Sequence, residues 1–439
     1  MREGAIVGVL LLIMFTSAAD LLVMTPILPT MAEDLGVGAD LGGLWVTAYA
    51  VSTGLFALGF GPISDRFGRR SVLRVGILTL GLGTFACGLA DGFFALLFAR
   101  FVAGAGAGML VTSTTSYAGD HFEPARRAVV VGWVMSGFFL ALILAVPIGA
   151  GLAASFGWHR MFFVLSGFAA CVAVGVFALP VPRSEERVTR LSAAEAGRAY
   201  GALLATKPVL GVLLMSFAVG LAMTMFNVYS SPWMAESLGF GTAERGFIYA
   251  AGGPAVLLAG PLAGRLSNAY GRVTLVTAGS VLMGVLMLVM PLSGTAALAL
   301  AREFDWSGYT TFGQLAWPAA LPPLAAFFFV MGAGSIRSGP FQTLALEVAP
   351  APRRGAVSAL RNASNQLGSG LGAAMGGFIW SHLEAPYLTT CVAAAAVTFG
   401  GLLALRGLSV GMEPSATSTE GKASAATAEN TSPSSSSGP

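Results

Sequence analysis

Long apolar segments alternate with short polar connections along almost the whole chain. A membrane-spanning helix needs about 20 apolar residues, so each of these segments predicts a helix that crosses a membrane. The sequence therefore predicts an all-α integral membrane protein, and its polar remainder is too short for a separate catalytic domain. The twelve predicted membrane-spanning segments cover residues 5–31, 44–63, 72–90, 93–118, 128–154, 161–180, 208–234, 246–267, 273–293, 317–348, 355–381 and 387–408.

A charged interruption after the sixth segment divides the chain into two six-helix bundles. The predicted domains are an N-terminal bundle at 1–180, a central loop at 181–207, a C-terminal bundle at 208–408 and a tail at 409–439. Within the loop, Ser192 and Glu195 have the spacing of a capping box, which favours a short interfacial helix. Residues 413–439 hold 12 Ser or Thr and no aromatic or branched aliphatic side chain, so the tail is predicted to be disordered.

The composition excludes a soluble protein and several kinds of partner. Of the 439 residues, 55% are hydrophobic and 10% are charged, whereas soluble domains have about 25% charged residues. The net charge of +3 gives no basic stripe for nucleic acid. Cys87, Cys171 and Cys391 each stand alone in an apolar run, which favours neither disulfides nor a metal site. We expect no cofactor, no metal and no nucleic-acid partner.

Basic residues in alternate connections predict the orientation, because Lys and Arg resist translocation across the membrane. With a cytoplasmic N-terminus, 18 of the 24 Lys and Arg residues lie on the inner side. The outer connections hold Arg160, Arg245 and Arg302. We therefore expect a multi-pass protein of the cell inner (plasma) membrane with both termini in the cytoplasm.

The two halves repeat each other in sequence. The segment 61–69, GPISDRFGR, matches 264–272, GRLSNAYGR, and each lies at the inner end of the second helix of its half. A second match pairs Arg126–Arg127 with Arg353–Arg354 at the start of each fifth helix. Two pseudo-symmetric bundles with a site between them are typical of a transporter.

The motifs of the first half resemble the major facilitator superfamily, and within it the twelve-helix drug/proton antiporter group of bacterial efflux proteins. The segment 61–70 resembles the family signature between helices 2 and 3, and 97–108 resembles the helix-4 motif with a membrane arginine and a glycine stripe. The resemblance covers about residues 5–408. It implies a fold in which helices 1, 4, 7 and 10 surround a cavity.

The helix-5 antiporter motif of that group is matched in part, at Pro147, Gly149 and Gly151. The family form has Gly-Pro followed by a Gly-Gly pair. Here Val146 precedes the proline and Ala150 separates the glycines. Antiport is therefore less firmly indicated than membership of the superfamily.

The resemblance also implies a conformational latch at the inner ends of helices 2 to 4. In this role Asp65, Arg69 and Asp120 hold the helix ends together when the outside is open. The alternative is that these charges only set the topology and cap the loop. Asn268 replaces the acid in the second copy, so we expect a weaker charge latch in the C-terminal half. The latch residues are Gly61, Asp65, Arg66, Gly68, Arg69, Arg70 and Asp120.

Asp20 is the one carboxylate well inside a predicted span, and such a group marks a functional site by default. At about 1.5 Å per residue, Asp20 lies ~22 Å from the inner end of helix 1 and Arg100 ~10 Å from the outer end of helix 4. We therefore expect an Asp20–Arg100 pair. Arg100 favours the ionised carboxylate and burial opposes it, so the pair suits proton coupling. A static pair that only joins the helices is the alternative.

Arg337 and Arg361 give three membrane arginines against one membrane carboxylate. This surplus favours an anionic substrate, because a guanidinium binds oxyanions with two parallel hydrogen bonds. Alternatively, Arg361 reaches inner carbonyl groups or Glu347. The polar face of helix 11 either lines the cavity or bonds to other helices, and Tyr229 and Trp233 form either a cavity wall or an interfacial belt. The candidate cavity residues are Asn227, Arg337, Arg361, Asn362, Asn365 and Gln366.

The sequence favours a transporter over an enzyme. The three histidines are isolated, and no HExxH, GxSxG or P-loop pattern is present. We predict a monomeric secondary transporter that exports amphipathic small molecules or drugs in exchange for protons by alternating access across the lipid bilayer. The alternatives are a facilitator or symporter for a small organic anion or sugar, and a transporter-like membrane sensor.

Overall fold

The computed structural model describes residues 3–181, 193–305, 307–348 and 354–408. The predicted tail and residues 182–192 of the predicted central loop, including Ser192, lie outside these residues. The first half contains α1 (Glu3–Leu22), α2 (Met24–Asp34), α3 (Ala39–Phe67), α4 (Arg69–Gly88), α5 (Phe93–His121), α6 (Pro124–Leu140), a π-helical turn (Ala141–Ala145), α7 (Val146–Phe156) and α8 (Trp158–Phe177). The remaining helices are α9 (Ala193–Leu204), α10 (Lys207–Leu238), α11 (Thr242–Tyr270), α12 (Arg272–Glu303), α13 (Leu321–Val348), α14 (Arg354–His382) and α15 (Pro386–Leu408).

The first predicted span is broken into two helices. A single helix was expected over 5–31, but α1 ends at Leu22 and α2 begins at Met24. Pro26 has no amide N–H to bond the carbonyl group of Leu22, which interrupts the helical ladder at this point. Val23 itself keeps helical dihedral angles, with φ of −63° and ψ of −30°, so the interruption between α1 and α2 is confined to a single turn.

The fifth predicted span is one continuous helix with a wide turn in its middle. The residues Ala141–Ala145 form the π-helical turn between α6 and α7. Pro147 follows it in the first turn of α7 and leaves the carbonyl group four residues earlier without its usual partner. Such turns are frequent at functional sites.

Eleven helical segments of the described chain are long and apolar enough to cross a membrane. The twelfth span predicted from the sequence, 355–381, is α14, which is 29 residues long but rich in polar side chains. It packs between α3 and α10, which covers those side chains with protein rather than lipid. The predicted all-α fold with twelve spans is therefore confirmed.

The sequence repeat is also a repeat of backbone geometry. Gly68, between α3 and α4, has φ of 90°, and Gly271, between α11 and α12, has φ of 83°. A positive φ of this size strains any residue with a Cβ, so each turn needs glycine. The second and third helices of the two halves are thus joined in the same way.

The connections define two faces of the molecule. We call the face at which α1 begins and α15 ends the terminal face, and the opposite face the distal face. On the distal face, β1 (Thr311–Phe312) pairs antiparallel with β2 (Leu315–Ala316), and a 3₁₀ turn (Trp317–Ala320) leads into α13. The predicted short helix of the central loop is present as α9, which packs against α10 and α14.

The two halves meet mainly toward the distal face. The largest apolar cluster there combines side chains of α2 and α7 from the first half with side chains of α10 and α13 from the second half. A second cluster lies wholly within the first half, and a third lies wholly within the second half. In addition, α3 and α14 contact each other across the interface. The described structure therefore has the halves closed together on the distal side.

Candidate functional site

A cavity of about 310 Å³ lies between the two halves. Both halves supply its walls, which are predominantly apolar and carry a few polar groups. Aromatic walls come from Phe138 and Phe139 of α6 and from Tyr249 and Phe327 of the second half. Among the lining residues that the structure describes, Arg337 is the one with a charged side chain. The other polar lining residues are Thr25, Thr224, Asn227, Ser335, Ser338, Gln366 and Ser369.

Three of the six predicted cavity residues line this cavity: Asn227, Arg337 and Gln366. Arg361, Asn362 and Asn365 do not line it. The Asn365 amide instead donates to the carbonyl oxygen of Ser216 in α10 at 3.1 Å. Successive residues of a helix point about 100° apart, so the polar face of α14 is divided between the cavity and α10. Both alternatives left open by the sequence are therefore realised, by different residues.

Arg337 is buried, with 5% of its surface exposed. Its Nε has no hydrogen-bond partner, and no acid forms an ion pair with it within the described ranges. The charged side chain with an electrostatic effect on it is Arg361, which has the same sign. Arg337 thus brings an uncompensated positive charge to an otherwise neutral cavity wall.

Asp20 and Arg100 form the ion pair expected from their depth. Nη1 of Arg100 lies 2.9 Å from Oδ2 of Asp20, and the two side chains are 1% or less exposed. The same nitrogen donates to the backbone oxygen of Asp20 at 3.3 Å. The pair joins α1 to α5 in the interior of the first half.

Two further residues complete this buried cluster and were missed by the sequence analysis. The hydroxyl group of Thr84 donates to Oδ1 of Asp20 at 2.8 Å, and the ring centre of Tyr49 lies 4.2 Å from the guanidinium carbon of Arg100. A lone threonine in a membrane helix commonly bonds its own backbone, as Thr84 also does with Leu80. The contact between Thr84 and Asp20 therefore could not be predicted from the sequence.

The ion pair and the cavity are neighbours but not the same site. Neither Asp20 nor Arg100 lines the cavity, whereas the next two residues of α1, Leu21 and Leu22, do. The Asp20 side chain points toward α4 and α5 instead. Any movement of α1 relative to these helices therefore changes the ion pair and the cavity wall together.

An ion pair at the terminal face joins two of the predicted latch residues. Nε of Arg69 lies 3.0 Å from Oδ2 of Asp120, and Arg70 donates to the carbonyl oxygen of Phe177 at 3.0 Å. Gly68 supplies the turn described above. The other predicted members, Gly61, Asp65 and Arg66, lie in α3, but their surroundings are outside the described part of the structure.

The second half has the equivalent ion pair, between Arg272 and Glu347. Arg272 follows Gly271 as Arg69 follows Gly68, and Glu347 lies at the end of α13 as Asp120 lies at the end of α5. The expectation of a weaker charge contact in this half considered Asn268 alone and overlooked the acid on α13. Glu347 therefore pairs with Arg272, and the described residues show no ion pair between Glu347 and Arg361.

Arg245 closes the distal face between the halves. This arginine of α11 is 3% exposed, and its Nε donates to the carbonyl oxygen of Pro26 in α2 at 2.9 Å. Nη2 donates to Oγ1 of Thr30 at 3.1 Å, and Nη1 donates to the carbonyl oxygen of Phe240 at 2.9 Å. From the sequence, Arg245 is expected to be an outer loop charge, and this contact was not predicted.

The helix-5 motif lies on the same closed side. A Cβ at Gly149 would overlap the side chain of Val23, and a Cβ at Gly246 of α11 would overlap that of Ala150. Pro147 lies 3.5 Å from the same added Cβ of Gly246, whereas Gly151 has open space around it. The motif therefore provides a close contact between α7 and α11.

Tyr229 and Trp233 form neither the cavity wall nor the interfacial belt considered from the sequence. Tyr229 is buried, and its hydroxyl group donates to the carbonyl oxygen of Ala373 in α14 at 2.8 Å. The ring of Trp233 stacks on Tyr387 of α15 with 4.6 Å between the ring centres. Both residues join helices of the second half.

A membrane protein of two repeated helical halves, with a cavity between them, has the architecture of a transporter. The profile of the Major Facilitator Superfamily matches residues 10–302 and 212–434, and the chain belongs to this superfamily. It is therefore a multi-pass membrane transporter and not an enzyme. A solved D-xylose-proton symporter has the same fold, with a TM-score of 0.69 over 91% of this chain and 98% of that chain at 17% identity.

Relatives in sequence include transporters of several kinds. The chain is 26% identical to the uncharacterized MFS-type transporter YceJ of Bacillus subtilis over 85% of this chain and 88% of YceJ. It is 31% identical to the multidrug efflux pump SdrM of Staphylococcus aureus, over 37% of each chain. It is 30% identical to the 4-hydroxybenzoate transporter PcaK of Acinetobacter baylyi, over 39% of this chain and 38% of PcaK.

Proposed function

We propose that the protein exports amphipathic small molecules in exchange for protons, by alternating access of its central cavity to the two sides of the membrane. The observation that carries this proposal is the position of the Asp20–Arg100 pair, which lies buried beside the cavity on the same helix that lines it. A cargo site and a titratable site thus share α1. The sequence features of a drug/proton antiporter support the direction of transport.

The cavity supports an amphipathic cargo. Aromatic and aliphatic side chains form most of its wall, and a few polar groups from both halves face it. Sites of this kind bind small molecules through apolar burial and use the polar groups for orientation. A cavity between two halves that are closed on the distal side also fits one end state of an alternating-access cycle.

The ion pair supports proton coupling. Arg100 and Thr84 both donate to the Asp20 carboxylate, and the contact with Arg100 depends on the negative charge of this carboxylate. A proton on Asp20 removes the charge and weakens both contacts, which releases α1 from α4 and α5. Because Leu21 and Leu22 line the cavity, this release alters the cargo site without direct contact between proton and cargo.

The distribution of basic residues supports an inner (plasma) membrane location with the terminal face and both termini in the cytoplasm. In this orientation the cavity of the closed-distal state faces the cytoplasm, from which an exporter loads. The Arg69–Asp120 and Arg272–Glu347 pairs then lie at the cytoplasmic helix ends, where a latch between conformations would act. The protein acts as a monomer of two bundles, 1–180 and 208–408, with a central loop and a cytoplasmic tail.

A second candidate function is the facilitated or proton-driven movement of a small organic anion. Its support is Arg337, the uncompensated charge of the cavity wall. The name of the relative PcaK, a 4-hydroxybenzoate transporter, agrees with such a cargo. In the first candidate function, a proton gradient drives the cargo out of the cell. In the second, the anion moves down its own gradient or is driven into the cell by protons.

The test is export from cells that lack their own efflux pumps, with fluorescent cationic, neutral and anionic amphipaths, with and without a proton uncoupler. We expect uncoupler-sensitive export, reduced at least tenfold in Asp20→Asn. In proteoliposomes without a pH gradient, Asp20→Asn should still exchange labelled for unlabelled cargo, because the cavity is intact. A variant that was merely misfolded would lose exchange as well.

The matched control is Asp91→Asn, which removes an exposed acid between α4 and α5. This variant should export like the unmodified protein. Normal export by Asp20→Asn, or no export of any compound, would overturn the proposed function. Proton-driven accumulation of the anionic compounds inside the cells would replace it with the second candidate.

A further inference from the structure

We infer that Arg337 binds the carboxylate of a monoanionic aromatic cargo, whose ring system lies against the aromatic side chains of the cavity. The inference rests on the proposed function in one respect, since it takes the cavity between the halves as the cargo site. It goes further by naming the charge class of the cargo and the residue that selects it.

The three buried arginines Arg100, Arg245 and Arg337 differ in how their charge is balanced. Arg100 is neutralised by Asp20, and Arg245 is fully engaged with carbonyl and hydroxyl oxygens at the distal face. Arg337 is as deeply buried but has an unbonded Nε and no acid against it in the ranges that the structure describes. A buried charge without a partner is energetically unfavourable. An anion in the cavity would remove this cost.

The positive charge of Arg337 lies at the wall of the cavity. Arg337 is itself a lining residue, and Gln366, which has an amide that can donate a hydrogen bond, also lines the cavity. A guanidinium offers two parallel N–H groups that match the two oxygens of a carboxylate. The described lining contains no acidic side chain, so a cationic cargo would meet repulsion from Arg337 with nothing to offset it.

The volume and the aromatic lining of the cavity indicate the size and shape of the cargo apart from its carboxylate. The cavity volume of about 310 Å³ is at the small end of the range of roughly 300–1,000 Å³ for small-molecule sites. Phe138, Phe139 and Phe327 present rings to it, and aromatic rings prefer offset or edge contacts with one another. A molecule with one aromatic ring, or with two fused aromatic rings, and a single carboxylate matches both the volume and the lining of the cavity.

The test measures binding of three compounds of one shape and different charge to the full-length protein in lipid nanodiscs by equilibrium dialysis. The compounds are 2-naphthoate, its neutral amide 2-naphthamide and the cation 2-naphthylmethylammonium. We expect the anion to bind at least tenfold more tightly than the amide and the cation to bind most weakly. Arg337→Gln should weaken anion binding at least tenfold and leave amide binding unchanged.

Two further variants distinguish a direct contact between Arg337 and the carboxylate from a general effect of positive charge near the cavity. Arg337→Lys keeps the charge but loses the paired N–H groups, so it should retain part of the preference for the anion. Arg361→Gln removes a neighbouring membrane cation that does not line the cavity, so it should weaken anion binding less than threefold. Retained binding of the amide in each variant shows that the variant is folded.

The outcomes distinguish this inference from the proposed function. Equal binding of anion and amide by the unmodified protein, including no binding of either, overturns the inference, as does an equal effect of Arg337→Gln on both compounds. Proton-driven export of neutral and cationic compounds would then still support the proposed function. Conversely, selective anion binding through Arg337 without any proton-driven export in proteoliposomes would support the inference and contradict the proposed function.

Discussion

Asp20 shows how one side chain joins three helices. Its two carboxylate oxygens accept from Thr84 of α4 and Arg100 of α5, while its backbone belongs to α1. Removal of one partner of a buried ion pair leaves an uncompensated charge, whereas removal of both charges is often tolerated. The energetic role of the pair is therefore distinguishable from the role in transport that we propose for it.

We expect Arg100→Leu to destabilise the protein by about 3–5 kcal/mol, because it leaves the Asp20 carboxylate buried without its cation. The double variant Asp20→Asn/Arg100→Leu should recover a substantial part of that stability. The measurement is thermal unfolding of the purified proteins, together with the single variant Asp20→Asn. Strictly additive effects of the two substitutions would mean that the charges do not interact.

At the scale of helices, close backbone contact between α10 and α14 depends on glycine. A Cβ at Gly368 would overlap the carbonyl oxygen of Phe217, and a Cβ at Gly220 would overlap that of Asn365. Small residues let membrane helices approach to van der Waals distance, which is a main source of their association in lipid. Such contact also brings the Asn365 amide within bonding distance of α10.

Gly368→Ala should therefore lower the stability by about 1–3 kcal/mol, the usual cost of an overpacked site. The control is Gly260→Ala in α11, where a Cβ meets nothing within 4 Å. We expect that control to unfold at the same temperature as the unmodified protein or slightly above it. Equal loss of thermal stability in both variants would contradict the role of this contact.

The elements that sequence could predict are those with a periodic or compositional signal. Apolar length accounts for eleven of the spans in the described residues, whereas α14 is more polar than the others. The spacing shared by the two copies of the repeat located the turns at Gly68 and Gly271. The break at Val23 and the π-helical turn were not predicted, because a proline in a membrane helix is compatible with a kink or with no visible change. The contact of Thr84 was missed because a threonine in a helix commonly bonds its own backbone. The contact of Arg245 was missed because its partners are neutral oxygens, which carry no charge signal in the sequence.

At the scale of the whole molecule, the contact of Arg245 with α2 holds the distal side closed. The arginine bridges the halves through the carbonyl group of Pro26 and the hydroxyl group of Thr30. All of its described partners are neutral oxygens, so the contact needs no proton to open. Separation of the halves breaks several hydrogen bonds of one side chain at once.

Arg245→Ala should shift the protein toward a state open on the distal side. We expect faster labelling of a cysteine placed at the cavity residue Thr25 by a membrane-impermeant thiol reagent added from that side, in a Cys171→Ser background that removes the exposed native thiol. Arg302→Ala, which removes an exposed arginine at the distal end of α12, serves as the control. Equal labelling rates in the two variants would show that Arg245 does not hold this side closed.

The polar composition of α14 has a consequence for the synthesis of the protein. Eleven of the described helical segments are apolar enough to enter lipid by themselves, whereas α14 depends on α3 and α10 to cover its polar face. When this helix leaves the ribosome, its two partners have already been made. We therefore expect α14 to insert into the membrane together with its packing against α3 and α10. The helices made earlier would then cover its polar side chains, which lipid cannot do.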